Sequence, residues 1–370
     1  MKVLILANNS GGLYRFRKEL LKELINPNSF LTGNTIQKSD VYVSVPCVEF
    51  VDELKELGVH LIDTFIDTRG LNPINDFKLL LTYKKIIKSV KPNIVLTYTI
   101  KPNIYGGALC KFLKITYIVN ITGLGTAIEN TGIVSKVLLK LYKFSLSSAK
   151  CVFFQNQKNK GFFEERGLIK SKVDILPGSG VNVEDYSFAE YPEAQDKVSF
   201  LFIGRIMKDK GIEEFLECAK FIKEKYPNTE FSLIGEFYEK EYEPLISELS
   251  EKGVISYYGM QKTSKDFIRS HHAIILPTYH EGLSNVLLES AAMGRPVIAS
   301  DIPGCREVFD SGVTGIGFEP KSGQALIDAT LKFLSLSYDE RKEMGRKARE
   351  KIEKEFDRKI VINKYIDIIK

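Results

Sequence analysis

The chain has 370 residues, 44% of them hydrophobic and 27% charged, with a formal net charge of +5. That length exceeds one ordinary core and predicts two domains, and the wealth of Phe, Ile, Leu and Tyr excludes a disordered chain. The five cysteines (Cys47, Cys110, Cys151, Cys218, Cys305) are scattered and form no CxxC pair, which argues against a disulfide framework or a zinc site and for reduced cytoplasmic thiols.

The opening "KVLILA" (2–7) reads as a buried strand. Its apolar run is too short for a signal peptide, and no later run approaches the ~18 apolar residues of a membrane span. The loop "NNSGGLYRFRKEL" follows, in which Gly11 and Gly12 would permit a tight turn and present helix N-terminal amides to an anion. It is not GxGxxG, and no acidic residue stands in the dinucleotide-fingerprint position, so a dehydrogenase is disfavoured. Residues 13–25 and 74–90 have helical period, and the polar stretch 26–40 reads as a loop. Further strands are expected at 40–45, 59–64, 93–98, 116–121, 151–155 and 172–176.

Charge is unevenly spread. Residues 1–190 hold 25 Lys+Arg against 17 Asp+Glu, or +8, and residues 191–370 hold 27 against 30, or −3. Between Phe77 and Phe163 there are fourteen lysines and a single carboxylate, Glu129. On a helix over 131–149, Lys136, Lys140 and Lys143 share one face and Val134, Val137, Leu138 and Leu141 another. A solvated lysine face is one reading; a surface drawn to anionic lipid head groups or a diphosphate is the sharper one. Nucleic acid is not expected, because the aromatics look like core positions and no recognition motif appears.

The acidic segment 182–197 marks a domain boundary, and strands return at 198–204, 230–235, 254–259, 272–277 and 295–300 with helices between. Near-continuous apolar strands alternating with helices predict α/β architecture: two doubly wound, Rossmann-like parallel sheets, over residues 1–185 and 186–355. Ligands of such sheets bind beyond the carboxyl ends of strands. There, "GRIMKDKGIEEF" supplies Gly204, Arg205, Lys210 and Gly211, two cations and two glycines suited to a diphosphate or, more plainly, a solvated loop.

The stretch "TYHEGLSNVLLESAAMGRPVIASD" carries the strongest signal. Glu281 and Glu289 stand eight residues apart around a loop in which Ser284 or Asn285 caps a helix, stopped by Gly294 and Pro296. A helix N-terminus between two acids suits phosphate oxygens flanked by sugar hydroxyls, and eight residues at ~1.5 Å each put the acids ~12 Å apart along an axis.

Taken together, "GRIMKDKG", "EGLSNVLLE" and "SDIPGCREV" resemble the nucleotide-sugar domain of the family 4 retaining glycosyltransferases, of GT-B architecture with two domains facing a central cleft. "TYTIKPNIYGGALCKFL" and "NITGLGTA" resemble bacterial members that extend lipid-linked sugars for surface polysaccharides or glycoproteins. The resemblance implies Arg205 and Lys210 on the donor diphosphate, Glu281 on the donor sugar and Glu289 on the ribose. Gly204, Gly282, Leu283, Ser284 and Asn285 would line the phosphate site, Met260 and Gln261 would meet the base, and Gly11 and Gly12 would line the cleft opposite. Glu307 stands at a position usually acidic in the family, and a last helix over 356–370 would return to the first domain. Many relatives carry a histidine after the strand at 93–98, where this chain reads Thr99, Ile100, Lys101. Lys101 with Thr122, Gly123 and Gly125 is the expected acceptor side, and His271, His272 and His280 are expected to be structural. There is no D-x-D, so no metal is expected, and no cofactor, the nucleotide sugar being a co-substrate. The resemblance thus implies transfer of a hexose or N-acetylhexosamine, UDP-linked, to a lipid-linked saccharide at the cytoplasmic face of an anionic membrane. A nucleotide-sugar epimerase of the same architecture and a non-catalytic sugar-nucleotide scaffold are the alternatives.

Overall fold

The structure, a computed structural model, describes residues 1–68, 70, 72–123, 132–193 and 197–370. The chain divides into two compact units, Met1–Ser179 with Lys359–Lys370, and Gly180–Arg358.

In the first unit seven parallel strands lie in the order β3-β2-β1-β4-β5-β6-β7: β1 (Lys2–Leu6), β2 (Asp40–Val45), β3 (His60–Asp63), β4 (Ile94–Tyr98), β5 (Thr116–Ile121), β6 (Cys151–Phe154) and β7 (Val173–Ile175). The strand order reverses between β1 and β4, whose register pairs Leu6 with Thr97. That switch point opens a crevice at the carboxyl ends, the usual place for a ligand in such sheets. Helices α1 (Ser10–Ile25), α2 (Val51–Glu56), α3 (Pro73–Val90), α4 (Gly107–Phe112), α5 (Ile133–Leu146) and α6 (Gln157–Glu165) complete the layers. β1 is buried on both faces: Val3 and Ile5 join one apolar cluster, Leu4 and Leu6 the other. This is why its sequence is an unbroken apolar run rather than an alternation.

The second unit repeats the design with β8 (Val198–Ile203), β9 (Thr229–Ile234), β10 (Ser256–Tyr257), β11 (Ala273–Leu276), β12 (Val297–Ser300) and β13 (Gly315–Phe318), in the order β10-β9-β8-β11-β12-β13, all parallel. Its helices are α7 (Ile212–Lys225), α8 (Glu243–Glu251), α9 (Lys265–Ser270), α10 (Asn285–Ala292), α11 (Gly323–Ser335) and α12 (Tyr338–Glu355). β13 is absent from the sequence expectation because "GIGF" has two glycines, which weaken strand propensity. Gly315 is there for another reason: a Cβ on it would meet the Val297 carbonyl oxygen of β12 at 2.7 Å.

The last helix, α13 (Arg358–Ile369), places Val361, Ile362, Tyr365 and Ile366 in the core of the first unit. The Tyr365 ring lies 5.0 Å from that of Phe153 and 6.4 Å from that of Tyr98. The Arg17 guanidinium is buried beside the same two tyrosines, 5.1 Å from the Tyr98 ring centroid. Among the described residues no helix is long and apolar enough to cross a membrane.

On helix α5 the apolar face is only partly covered. Ser135, Tyr142, Ser145 and Leu146 face inward, while Val134, Val137 and Leu141 remain 45%, 50% and 36% exposed. Phe77, Phe112 and Phe144 are likewise exposed, so these aromatics of the lysine-rich stretch are not core positions.

Candidate active site

At the carboxyl end of β8 the chain passes Gly204, Arg205 and a single 3-10 turn, Lys208–Lys210, before α7 begins. Gly211 joins the two with φ +73°, and a Cβ there would lie 2.0 Å from the Pro277 carbonyl oxygen. Only glycine accepts both that backbone and that approach. The Asp209 carbonyl accepts from the Tyr279 amide at 2.9 Å, so the loops after β8 and β11 are locked side by side. Gly235, after β9, approaches just as closely: a Cβ on it would sit 1.8 Å from the Gly204 carbonyl oxygen.

This packing brings the paired charges together. Lys210 Nζ lies 2.5 Å from Glu281 Oε1, with both side chains less than one-fifth exposed. Partial burial makes such a pair firmer than a surface one, and loss of either member would strand the other. Arg205 is exposed, lies over the Tyr238 ring at 5.0 Å and forms no ion pair among the described residues. Beneath them Cys305 is buried; that burial, with Glu281 close by, holds its thiol well above the ordinary range and makes it no nucleophile.

Ser284 caps α10, its hydroxyl accepting from the Leu287 amide at 3.4 Å, and its own amide donates to the Gly304 carbonyl at 2.8 Å. Gly304, at φ +91°, passes so near Glu281 that a Cβ would meet the Glu281 carbonyl oxygen at 2.5 Å, and Glu307 Oε2 accepts from the Gly304 amide at 2.7 Å. Glu307 therefore braces the loop that carries Glu281. Gly282 and Leu283 complete that loop, and Asn285 opens α10. The helical rise applies only from Asn285 onward: Glu281 lies in the loop and Glu289 on the second turn.

Glu289 sits in a different setting. Burial raises its carboxyl pKa to about 7, against the Tyr186 hydroxyl, Arg358, Ser264 and Lys265, which pull it down. Ser264 Oγ is 3.5 Å from Glu289 Oε2, and Lys265 is committed to Asp185. Tyr186, Ser264 and Lys265 escaped the sequence reading: they arrive from segments 24 to 103 positions away and carry no local motif. Met260 is exposed, and the Gln261 side chain donates to the Tyr258 carbonyl at 2.6 Å. His272 is bonded to Ser199 and its pKa falls to about 4 on burial; His271 is buried as well, and His280 is exposed.

In the first unit Asn9 caps α1, accepting from the Gly12 amide. Gly11 and Gly12 have no positive φ, so the expected tight turn is not their role. They form the first turn of α1, and Gly11 makes room for Glu49, whose Oε2 a Cβ would approach to 2.5 Å. Past β4 and β5 a cavity of about 240 Å³ is lined by Asn8, Ile66, Thr68, Thr99, Ile100, Lys101, Thr122 and Gly123. It gathers Lys101, Thr122 and Gly123; Gly125 lies outside the described residues. Lys101 is not a free cation: it pairs with Asp76 at 2.6 Å and donates to the Gly70 carbonyl at 2.8 Å.

Thr99 is the unforeseen member. Its φ is +72°, a conformation costly for a β-branched residue, and its hydroxyl is buried without a hydrogen-bond partner among the described residues. A π-helical turn, Pro102–Gly106, follows, steadied by Asn103, which reaches Thr97 Oγ1 at 2.8 Å and the Asn120 carbonyl at 2.8 Å. Strain and a π turn at a strand's carboxyl end are recurrent features of working sites.

Both halves of the chain are similar to known proteins. Residues 183–351 match the family model of the group 1 glycosyl transferases, and residues 29–156 match a glycosyl transferase 4-like model. Among similar proteins, an N,N'-diacetylbacillosaminyl-diphospho-undecaprenol alpha-1,3-N-acetylgalactosaminyltransferase of Campylobacter jejuni is 26% identical over 345 residues, covering 88% of this chain and 87% of the relative. The UDP-Gal:alpha-D-GlcNAc-diphosphoundecaprenol alpha-1,3-galactosyltransferase of Escherichia coli is 25% identical, covering 83% and 81%. A glycosyltransferase from Rickettsia africae superposes with a TM-score of 0.80 at 20% identity over 99% of this chain and 97% of its own. An Anabaena protein solved with UDP and glucose gives 0.78 at 14% identity over 99% and 98%.

Proposed function

The chain belongs to the glycosyltransferases, with a group 1 second half and the GT-B fold, and from that premise we propose what it transfers, from what and to what. The donor is a UDP-linked hexose or N-acetylhexosamine, the acceptor a lipid-diphosphate-linked saccharide of a bacterial surface polysaccharide or glycoprotein glycan, and the anomeric configuration is retained. The observation that carries the donor half is the Lys210–Glu281 pair, 2.5 Å apart, at the mouth of a helix capped by Ser284.

In this reading the donor diphosphate lies against the α10 amides and shares Lys210 with Glu281, while Arg205, which no carboxylate among the described residues holds, swings onto the other phosphate. Glu281 is then left to accept hydrogen bonds from sugar hydroxyls, and Glu289 from the ribose. The bond from the anomeric carbon to the phosphate oxygen breaks as charge builds on the leaving diphosphate, where fixed cations and helix amides lower the barrier. The acceptor oxygen bonds to the anomeric carbon on the face the phosphate leaves, and its proton passes to the departing phosphate oxygen. No protein side chain need act as base, and no metal is required by the residues so assigned.

The acceptor half is supported by the polar cavity around Thr99, Lys101 and Thr122 and by the activities for which the Campylobacter and Escherichia relatives are named, which are transfers to diphospho-undecaprenol saccharides rather than epimerisations. The enzyme works peripherally on the cytoplasmic face of an anionic membrane, approached by the lysine-rich first unit. The test is transfer from a panel of UDP- and GDP-sugars to a synthetic N-acetylhexosaminyl-diphospho-lipid by wild type, Lys210→Ala and Arg205→Ala. Near-normal transfer by both variants would remove the diphosphate assignment, and transfer from GDP-sugars alone would remove uridine.

A further inference from the structure

A second cavity of the first unit, about 440 Å³, lies between α3 and α5 and is lined almost wholly by apolar side chains, Phe77, Leu80, Val134, Val137, Leu138 and Leu141 chief among them. Phe77 is 60% exposed and Val137 50%. Folding has left these surfaces in water, which costs stability unless something covers them. At one end of the groove stand Asp76 and Tyr105. Asp76 bonds Lys101 at 2.6 Å, and Lys101 lines the polar cavity, so one ion pair forms a wall common to both spaces. The Tyr105 hydroxyl donates to the other Asp76 oxygen at 2.9 Å, which leaves that carboxylate satisfied from both sides. On α3 the exposed Lys84 and Lys88 continue the face of Phe77 and Leu80 beyond the groove, whereas the exposed Lys136, Lys140 and Lys143 of α5 lie on a different face from the lining Val134, Val137 and Leu141. An apolar trough, a polar cavity that shares the Asp76–Lys101 wall with it and the lysines that continue the α3 face complement a molecule with a hydrocarbon tail, an anionic junction and a sugar head.

We propose that the α3–α5 groove seats the first isoprene units of the acceptor's lipid, so that the diphosphate at their end lies at the Lys101 cavity and the saccharide within it. This rests on the lipid-diphosphate reading given above. The size is suitable: a dry apolar cavity of about 150 Å³ holds one benzene, so this groove has room for two or three five-carbon units. The groove thereby measures the acceptor from its lipid end and sets the sugar's distance from the tail.

The probes are farnesyl diphosphate and inorganic diphosphate, titrated calorimetrically into the full chain with saturating UDP to occupy the donor site. Wild type is expected to bind farnesyl diphosphate at least tenfold more tightly than diphosphate. Phe77→Ser and Val137→Ser, both at exposed positions and checked by thermal unfolding, are each expected to lose most of that margin with diphosphate binding unchanged. An undiminished margin in both variants overturns the proposal. So does a result in which the variants keep the margin but release vesicles of phosphatidylglycerol and phosphatidylethanolamine, which would make the groove a seat for bilayer lipid. Neither measurement needs turnover, so wild type that binds farnesyl diphosphate yet transfers to no lipid acceptor would sink the transferase substrate reading and leave the groove standing.

Discussion

The two units are built on the same parallel, doubly wound plan but equip their switch points in opposite ways. The Gly180–Arg358 unit jams loops together with Gly211 and Gly235 and sets Lys210 against Glu281 where β8 and β11 end. The Met1–Ser179 unit has a helix start of ordinary right-handed geometry at Gly11 and Gly12, a neutral polar cavity and an exposed apolar groove. One design suits a small, highly charged and soluble ligand, which needs fixed charge at close quarters. The other suits a large amphipathic ligand, which needs area and a few hydrogen bonds. A shared topology therefore says little about the ligand; the loops and surfaces at the strand ends decide it.

That contrast can be broken or sharpened by substitution. Lys210→Ala is expected to have the largest effect, a loss of about 10²- to 10³-fold in turnover, as for removal of one preorganised donor to a developing anion, read in a single-donor transfer assay. Gly211→Ala should cost about 3 kcal/mol in urea unfolding, since φ +73° and a Cβ 2.0 Å from a backbone oxygen leave no relaxed solution.

Glu289 predicts a pH dependence. Its carboxyl binds more protons in the folded chain than unfolded between its ordinary 4.5 and about 7. Stability therefore falls as pH rises through that window, and Glu289→Gln should remove roughly 3 kcal/mol of that decline. If the ribose needs the ionised acid, UDP affinity in wild type should drop up to tenfold per pH unit below about 7, whereas in Glu289→Gln it should be flat. A flat wild-type profile measured by calorimetry would detach Glu289 from the nucleotide. The smallest effect is expected at Thr99. Thr99→Gly should change stability by less than about 1 kcal/mol, because relief of the strain at φ +72° offsets the added chain entropy. Acceptor transfer should nonetheless fall several-fold.

Much of the architecture was legible because each buried strand is a separate apolar run between polar loops: "DVYVSV" and "TYIVNI" coincide with β2 and β5. The cap at Ser284 was legible because serine before an apolar helical run has a local physical cause. What was not legible has causes beyond its own segment. Gly315 owes its place to a neighbour strand, and Tyr186 reaches Glu289 from a segment remote in the chain. Thr99 was hidden for the opposite reason, as a β-branched residue is the last expected at positive φ. For α5, the periodicity separated apolar from lysine positions correctly. It could not say that part of the apolar set would face water, because periodicity gives faces and not what covers them.

The return of α13 into the first unit gives the molecule an order of assembly. Tyr365, packed near Tyr98 and Phe153, leaves the ribosome only after the whole of Gly180–Arg358 has done so. The six-stranded unit has by then emerged entire and is free to fold. The seven-stranded one, although its strands are synthesised first, waits for residues 361–369 to close its core. The half that holds the charged loops is therefore born finished, and the half with the bare apolar trough is completed last, by its own trailing helix.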